Sequence, residues 1–458
     1  MYDVNLLDND YFCKSFSRIP IYETMLLYTI FLQHPIICTD SRVCPWGSIF
    51  FALKGENFNA NSFALSALEK GCAYAVVDEA EFAIDNRFIL VDNVLESLQQ
   101  LASYHRVQTG TKIIGITGTN GKTTTKELIA AVLKEKYNIL FTQGNLNNHI
   151  GVPLTLLQLK PEHQLAIIEM GANHPGEIHE LCQMTHPDYG IITNVGKAHL
   201  EGFGSLEGVM KTKAELYDFI SSSGKLIFIN SGNPLLEQMA TKSGLNKHDK
   251  KVDYSLAGKE TLSDYTAEIT DCSPFLQMKC TAKNNASFEI NTHLIGSYNA
   301  ENVLAAVTIG SYFGVSIEHI KRGLENYIPQ NNRSQLTVTE HNKLVVDTYN
   351  ANPTSMRAAI LNFAQMKVDQ KTLILGDMLE LGDQSVEEHQ NIVNLLQQNS
   401  FKNVLLVGSD FKKTLNSFHN FENVTQLIDY VNENPVTNNY ILIKGSRGIK
   451  LEKVLDRL

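Results

Sequence analysis

The sequence predicts an α/β protein of three domains, with a central, mostly parallel sheet that carries a phosphate loop. Three observations predict this. Ile113 to Thr125 reads as a buried apolar run, a glycine loop and a helix start. Strand-length apolar runs alternate with helical stretches over residues 107–328, and again over 329–458. A shorter alternation of the same kind fills residues 1–106. The length of 458 residues suits about three domains of common size.

In the first domain, Asp40-Ser41-Arg42 precedes Pro45-Trp46-Gly47-Ser48 and a strand at Ile49 to Leu53. A helix is expected near Ser62 to Lys70 and another over Val94 to Arg106. Strands are expected at Ala73 to Asp78 and Phe88 to Val91. Ser41 and Arg42 sit in a loop before a strand, where a hydroxyl and a guanidinium can grip a diphosphate. A turn serine and a surface arginine explain the same two residues.

The second domain holds the phosphate loop. Ile113, Ile114 and Ile116 make the strand, Gly118-Thr119-Asn120-Gly121 breaks it, and Lys122 opens a helix whose strong formers run from Lys126 to Lys136. The glycines let backbone N–H groups turn inward, and the helix N-terminus adds partial positive charge. Lys122 can reach the β/γ-phosphates of a nucleotide, and the Thr123 hydroxyl can ligate Mg²⁺. The pattern is a shortened variant, because Ile116 stands where the usual motif has its first glycine. A glycine-rich strand-to-helix turn accounts for the glycines but not for Gly121-Lys122-Thr123-Thr124.

Further strands at Leu165 to Met170, Gly190 to Asn194 and Lys225 to Asn230 imply a parallel sheet with right-handed crossovers. Ligands in such sheets lie beyond the carboxyl ends of the strands. Glu169 ends one strand, where its hard oxygens suit Mg²⁺ and equally suit a helix cap. Asn194 ends the next and leads into Gly196 to Gly202, which contains His199. That histidine reads as a metal ligand or as a structural loop residue. Lys213, on an expected helix among like charges, reads from the residues alone as a solvated surface lysine. Residues 252–295 alternate in a β pattern and suit a small antiparallel addition to the sheet, before helices at Asn299 to Phe313 and Ser316 to Asn326.

The third domain begins after Pro329-Gln330-Asn331-Asn332 and resembles a dinucleotide (Rossmann-like) fold without a GxGxxG loop. Its strands are Leu344 to Asp347, Thr372 to Leu375, Val404 to Val407 and Tyr440 to Lys444. Asp347-Thr348-Tyr349-Asn350-Ala351-Asn352-Pro353 follows the first strand, and Pro353 suits a helix first turn. Leu375 to Gly382 and Lys444 to Arg447 fall on the same expected sheet edge. Three polar loops on one edge predict a site.

Composition limits the partners. Net charge is −10, which argues against nucleic acid. Tyr22 to Ile37 is the most apolar stretch, too short and interrupted to span a bilayer. The seven cysteines show no metal-like short pair and read as reduced thiols of a cytoplasmic protein. The opening MYDVNLLDND has neither a basic region nor an apolar core, so no secretory leader is expected there.

Several motifs together resemble one family. They are Gly118 to Thr124, Gly144 to Pro153, Glu169 to His174, Ala198 to Gly204, Asp347 to Pro353 and Leu375 to Met378. The chain resembles the Mur ligases, amide-forming enzymes of peptidoglycan precursor synthesis, over nearly its whole length. The resemblance implies a UDP-sugar domain, a central ATPase and a mobile C-terminal domain, in a monomer. It implies that ATP phosphorylates the terminal carboxylate of a UDP-MurNAc-tripeptide, and that the amine of D-Ala-D-Ala then attacks the acyl phosphate. A sister ligase adding a single amino acid and a folylpolyglutamate synthase share the ATP loop but explain the Asn-Ala-Asn-Pro turn less well; the intact Lys122, Glu169, His199 and Lys213 argue against a nucleotide-binding scaffold without catalysis.

Residue by residue, the resemblance gives Gly118, Thr119, Asn120, Gly121, Lys122, Thr123 and Thr124 to ATP. It gives Thr123, Glu169 and His199 to Mg²⁺. Lys213 matches a lysine carbamylated in many Mur ligases; a carbamate would make it an anionic oxygen ligand, the reverse of the surface reading. Asn299 and Asn302 match an adenine-side motif, and Arg333 and Asp347 match C-terminal contacts to ATP. Ser41 and Arg42 match the uridine-nucleotide loop, Asn145, Asn147 and Asn148 fall on the substrate side, and Asn350 and Asn352 on the dipeptide side. Asn57 to Ser62 depart from the pattern, where relatives carry acidic and histidine residues.

Overall fold

The strand-and-helix alternation read from the sequence recurs in the computed structural model, which describes residues 21–223, 225–245, 250–257, 263–330 and 332–458. Cys13, Asn331 and the segment read as lacking a leader lie outside the described residues. The chain divides into two compact units: Met1–Gly115, Asn138–Gly171 and Glu177–Asp188 form one, and Ile116–Tyr137, Ala172–Gly176 and Tyr189–Leu458 the other.

The first unit holds a four-stranded parallel sheet in the order Ile37–Cys38, Ile49–Phe51, Tyr74–Val77, Phe88–Leu90. Phe50, Ala64, Ala67 and Ala75 are fully buried in its core. The helix expected to end at Arg106 runs over Val94–Thr109, capped by Asn93 and closed by Gly110 at φ +63°. Ile139–Phe141 pairs in parallel with Leu165–Glu169 in the same unit. The segment that departs from the family pattern has a structural use here. Buried Asn61 donates to Asp78 Oδ1 at 2.8 Å and Asn59 donates to Glu79 Oε1 at 2.9 Å, which staples residues 59–61 to the end of a strand.

In the second unit Tyr189–Ile192, Leu226–Asn230, Lys251–Leu256 and Tyr265–Cys272 pair in parallel in that order. Phe275–Thr281 and Ser287–Ile295 then add antiparallel. The expected antiparallel addition is therefore present, but its first strand, Lys251–Leu256, is parallel. The phosphate-loop helix spans Lys122–Leu133, so it starts at the loop and ends one turn before the predicted Lys136. Lys136 instead turns its Nζ to the carbonyls of Phe313 and Gly314.

The C-terminal part of this unit is a six-stranded sheet in the order Gln335–Val338, Lys343–Asp347, Tyr440–Lys444, Lys371–Gly376, Asn403–Val407, His419–Phe421. The first pair is antiparallel and the rest parallel. Side chains alternate across it, as strand geometry requires. Val345, Leu373, Leu375 and Leu442 pack on the helices Pro353–Gln365 and Ser385–Gln398. Leu344, Val346, Ile374 and Ile443 pack on Val424–Glu433 and Leu451–Arg457. The loops after Asp347, Gly376 and Lys444 follow three adjacent parallel strands, so they share one edge as the sequence predicts. Among the described residues no helix is long and apolar enough to cross a membrane.

Candidate active site

The phosphate loop is held by the neighbouring strand end. Thr119 N donates to Asn194 O and Asn120 N to Asn194 Oδ1, both at 2.9 Å, while Asn194 Nδ2 returns a bond to Asn120 O at 3.0 Å. Gly118 and Gly121 have φ of +142° and +77°, where side chains other than glycine are strained. A Cβ on Gly118 would lie 2.0 Å from Thr193 Oγ1. The loop thus delivers the chain to the N-terminus of Lys122–Leu133, whose first-turn amides and dipole favour an anion. Lys122 Nζ folds over the loop and donates to Gly118 O at 2.6 Å and Thr119 O at 3.1 Å. Thr123 is buried in the first turn.

Behind the loop, Asn302 Oδ1 accepts from Thr125 Oγ1 at 3.0 Å and its Nδ2 donates to Asn299 Oδ1 at 2.9 Å. Asn299 Nδ2 donates to Ile295 O at 2.8 Å. Both asparagines are buried and serve the packing of the loop against Ala300–Tyr312.

The C-terminal segment reaches the loop through Asn352. Its Nδ2 donates to Asn120 Oδ1 at 2.8 Å, and Asn120 Nδ2 donates back at 3.4 Å. Asn352 also caps Pro353–Gln365, accepting from Ser355 N at 2.9 Å. Asn350 is exposed, and its side chain accepts from Ala351 N. Asp347 and Lys444 form an ion pair at 2.6 Å, with the lysine side chain 2% exposed. Lys444 Nζ donates as well to Asn350 O at 3.2 Å. Arg333 lies 3.8 Å from the Tyr349 ring centroid, with Arg447 at 6.0 Å from the same ring. Buried Arg333 Nε has no hydrogen-bond partner among the described residues. This corner therefore offers cationic groups to an anionic ligand.

His199 has φ +49° and its Nδ1 lies 2.6 Å from Glu380 Oε2. The imidazole holds the Glu380 carboxyl below the usual carboxylate range. Leu200, next in sequence, is buried in the C-terminal core beside residues such as Ala351, Met356 and Met378. Lys197 Nζ bonds Glu388 Oε1 at 2.6 Å, which raises the lysine pKa.

Lys213 corrects the surface reading. It is 2% exposed, with its Nζ 3.5 Å from Ala172 O and 5.4 Å from the Phe203 ring centroid. The reason is helical periodicity: Val209, Thr212, Lys213, Leu216 and Ile220 form the inward stripe of Leu206–Ser222. Charge neighbours along the sequence suggested solvent; position on the stripe decides burial.

In the first unit, Glu169 is 1% exposed and its Oε1 accepts from Asn147 Nδ2 at 2.8 Å. Asn148 Oδ1 accepts from Ile150 N at 3.1 Å and from Gly151 N at 2.8 Å, just ahead of the helix Gly151–Leu156, while Asn145 is exposed. Arg42 is exposed and forked on Asp40, whose carboxyl its hydrogen bonds hold down at about 2. Ser41 O accepts from Lys70 Nζ at 2.7 Å.

Mg²⁺ is the metal the sequence implies. Within the second unit Thr123 offers a hard oxygen of the kind Mg²⁺ prefers, whereas Lys213 repels a cation as an ammonium and becomes a donor only as a carbamate; in the first unit the buried Glu169 carboxylate is by itself a hard-oxygen donor. Three residues that matter to this geometry were not singled out from the sequence. Asn194 stood at a predicted strand end and Lys444 in a quoted loop, so position marked both. Glu380 lies likewise in the predicted edge loop Leu375 to Gly382, but nothing in an acid there marks it as the partner of His199.

Comparison with known proteins then bears on this geometry. The Mur ligase middle domain matches residues 116–310, and the Mur ligase glutamate ligase domain matches residues 332–447. The UDP-N-acetylmuramoyl-tripeptide–D-alanyl-D-alanine ligase of Bacillus subtilis is 34% identical over 441 residues, covering 92% of each chain. The enzyme of that name from Escherichia coli is 34% identical over 430 residues, covering 92% of this chain and 93% of its own. A crystal structure of MurF from Acinetobacter baumannii superposes with TM-score 0.80 at 31% identity, covering 92% of each chain.

Proposed function

The chain belongs to the Mur ligase family, and from that membership we propose how its residues carry out the reaction named for its relatives. It is an ATP-dependent ligase that joins D-alanyl-D-alanine to UDP-N-acetylmuramoyl-tripeptide in peptidoglycan precursor synthesis. The observation that carries the residue-level reading is the glycine loop on a helix N-terminus, braced by Asn194 and bonded to Asn352.

ATP lies with its phosphates on Gly118 to Thr124. Lys122 leaves the carbonyls of Gly118 and Thr119 for the β/γ-phosphates, exchanging two neutral acceptors for a multiply charged one. The tripeptide carboxylate attacks the γ-phosphorus, giving an acyl phosphate and ADP. The dipeptide amine then adds to the acyl carbon, and the tetrahedral intermediate expels inorganic phosphate to leave the amide. Positioning and charge stabilisation supply most of the rate in such transfers. Arg333, Arg447 and Lys444 place cationic charge at the edge of the C-terminal sheet, where Arg333 and Asp347 meet the nucleotide. Asn350 lies toward the dipeptide.

Thr123, Glu169 and His199, with Lys213 as a carbamate, would hold Mg²⁺, which when bound neutralises charge on the transferring phosphoryl group. Asn145, Asn147 and Asn148 with Ser41 and Arg42 serve the UDP-substrate side. The domain division is 1–106 for the UDP-sugar, 107–328 for ATP and 329–458 for closure and the dipeptide. The protein works in the cytoplasm as a monomer on small-molecule substrates.

The test is phosphate release with UDP-MurNAc-tripeptide and ATP. Release that requires D-Ala-D-Ala supports the reading; release on a lone amino acid instead transfers it to the sister ligase.

A further inference from the structure

Cys38, Cys44 and Cys72 come from three separate places in the sequence and meet in the first unit. Their Sγ atoms all lie within 4.8 Å of one another. Cys38 ends the strand Ile37–Cys38, Cys44 lies in the following turn, and Cys72 precedes the strand Tyr74–Val77. Cys38 and Cys72 are buried in the core with Phe50 and Ala67, while Cys44 is half-buried and gives access. We propose that this trio is a three-thiolate site for a thiophilic divalent cation of the zinc class.

The backbone holds the trio in place. Ala73 N donates to Ser48 O and Gly47 N to Gly71 O, both at 2.7 Å, which fixes the Cys72 turn against the segment after Cys44. Cys38 is held by the parallel pairing of its strand with Ile49–Phe51. Tetrahedral zinc with bonds of about 2.3 Å sets its sulfurs about 3.8 Å apart, so closing the trio takes a shift of about one ångström. Cys44, on the turn, is the ligand with room to make it. Without metal, Cys38 Sγ donates to Val43 O at 3.1 Å and Cys44 Sγ to Ser41 O at 3.5 Å, while Cys72 Sγ lies 3.2 Å from Ser48 Oγ. Metal entry exchanges these weak S–H bonds for metal–sulfur bonds. Three protons are released, the three sulfurs become thiolates, and water fills the fourth position. No oxidant or reductant is needed. Three soft donors select zinc-class ions over the hard Mg²⁺ of the nucleotide reaction.

The chain carries its own reporter. Trp46, its single tryptophan, lies two residues after Cys44 and stacks where a Cβ on Gly71 would meet it at 2.7 Å. The experiment titrates the reduced full-length protein with Co²⁺ and then Zn²⁺, following the thiolate-to-metal charge-transfer band and Trp46 emission. The expected result is one Co²⁺ per chain with a thiolate band, a coincident change in emission, and displacement by Zn²⁺. Cys44→Ser, at the accessible position, weakens binding by more than the roughly 10- to 100-fold typical of losing an outer-shell partner. Cys72→Ser does the same if it folds, and Cys272→Ser binds as the parent does. Absence of the band, or a band that survives Cys44→Ser, overturns the assignment.

Discussion

Asn120 of the phosphate loop and Asn352 of the C-terminal segment exchange side-chain hydrogen bonds, at 2.8 Å and 3.4 Å. Asn352 is also the N-cap of Pro353–Gln365, so one residue ties a helix start to the loop assigned to ATP. Asn120→Ala and Asn352→Ala separate the two roles. Asn352→Ala loses the cap and the tie, and stability falls by about 1 kcal/mol. Asn120→Ala loses the tie alone, keeps the cap, and raises KM for ATP with a smaller stability loss. Thermal denaturation beside ATP-dependent kinetics reads both; equal stability losses would contradict the division.

Lys122→Ala removes the main cation from the phosphates. Turnover is expected to fall to background while the fold survives, because Lys122 stands on the loop and its Nζ bonds the loop carbonyls of Gly118 and Thr119. Circular dichroism and phosphate release measure the two, and near-normal turnover would contradict the role.

The buried ammonium of Lys213 gives a different signature. If a carbamate is the working form, Lys213→Ala is partly restored by millimolar short-chain carboxylates. No rescue at any concentration removes the carbamate from the account, and the residue then keeps only its place on the inward stripe of its helix.

The Asp347–Lys444 pair is buried on the lysine side. Lys444→Ala leaves the carboxylate without its ammonium, and stability is expected to fall by about 3–5 kcal/mol. Lys444→Met with Asp347→Asn restores part of it. Chemical denaturation of both variants tests this, and a loss near zero in the single variant would contradict it.

Much of the fold was legible because backbone demands are local. The run Gly118 to Thr124 announced a strand, a loop and a helix start, since only glycine tolerates φ of +142° and +77° there. The three loops after Asp347, Gly376 and Lys444 were legible as one edge because parallel strands put their carboxyl ends together. Burial of single polar residues was less so. The charged neighbours of Lys213 point to solvent, whereas its helical phase puts it on the buried stripe. The Asn120–Asn352 bond joins residues 232 positions apart, and no local pattern encodes such a pairing. The cysteine trio escaped for the same reason, since its spacing matches no short motif.

His105 provides a pH signature in the first unit. It is buried, with Nε2 bonded at 2.9 Å to Leu159 O, and burial lowers its pKa. The folded chain therefore favours the neutral ring. Its contribution to stability is complete above the unfolded value of about 6.5 and is lost as pH falls through the lower folded value. His105→Gln is expected to flatten the decline of the melting temperature below about pH 6.5. Parallel slopes for the two proteins would contradict the assignment.

The central claim is that ATP phosphates rest on Gly118 to Thr124 and face Lys122. A crystal structure with a non-hydrolysable ATP analogue tests it most directly. The account predicts β- and γ-phosphates within hydrogen-bond reach of Lys122 Nζ, with that group withdrawn from Gly118 O and Thr119 O. Nucleotide bound elsewhere, with Lys122 still on those carbonyls, would contradict it.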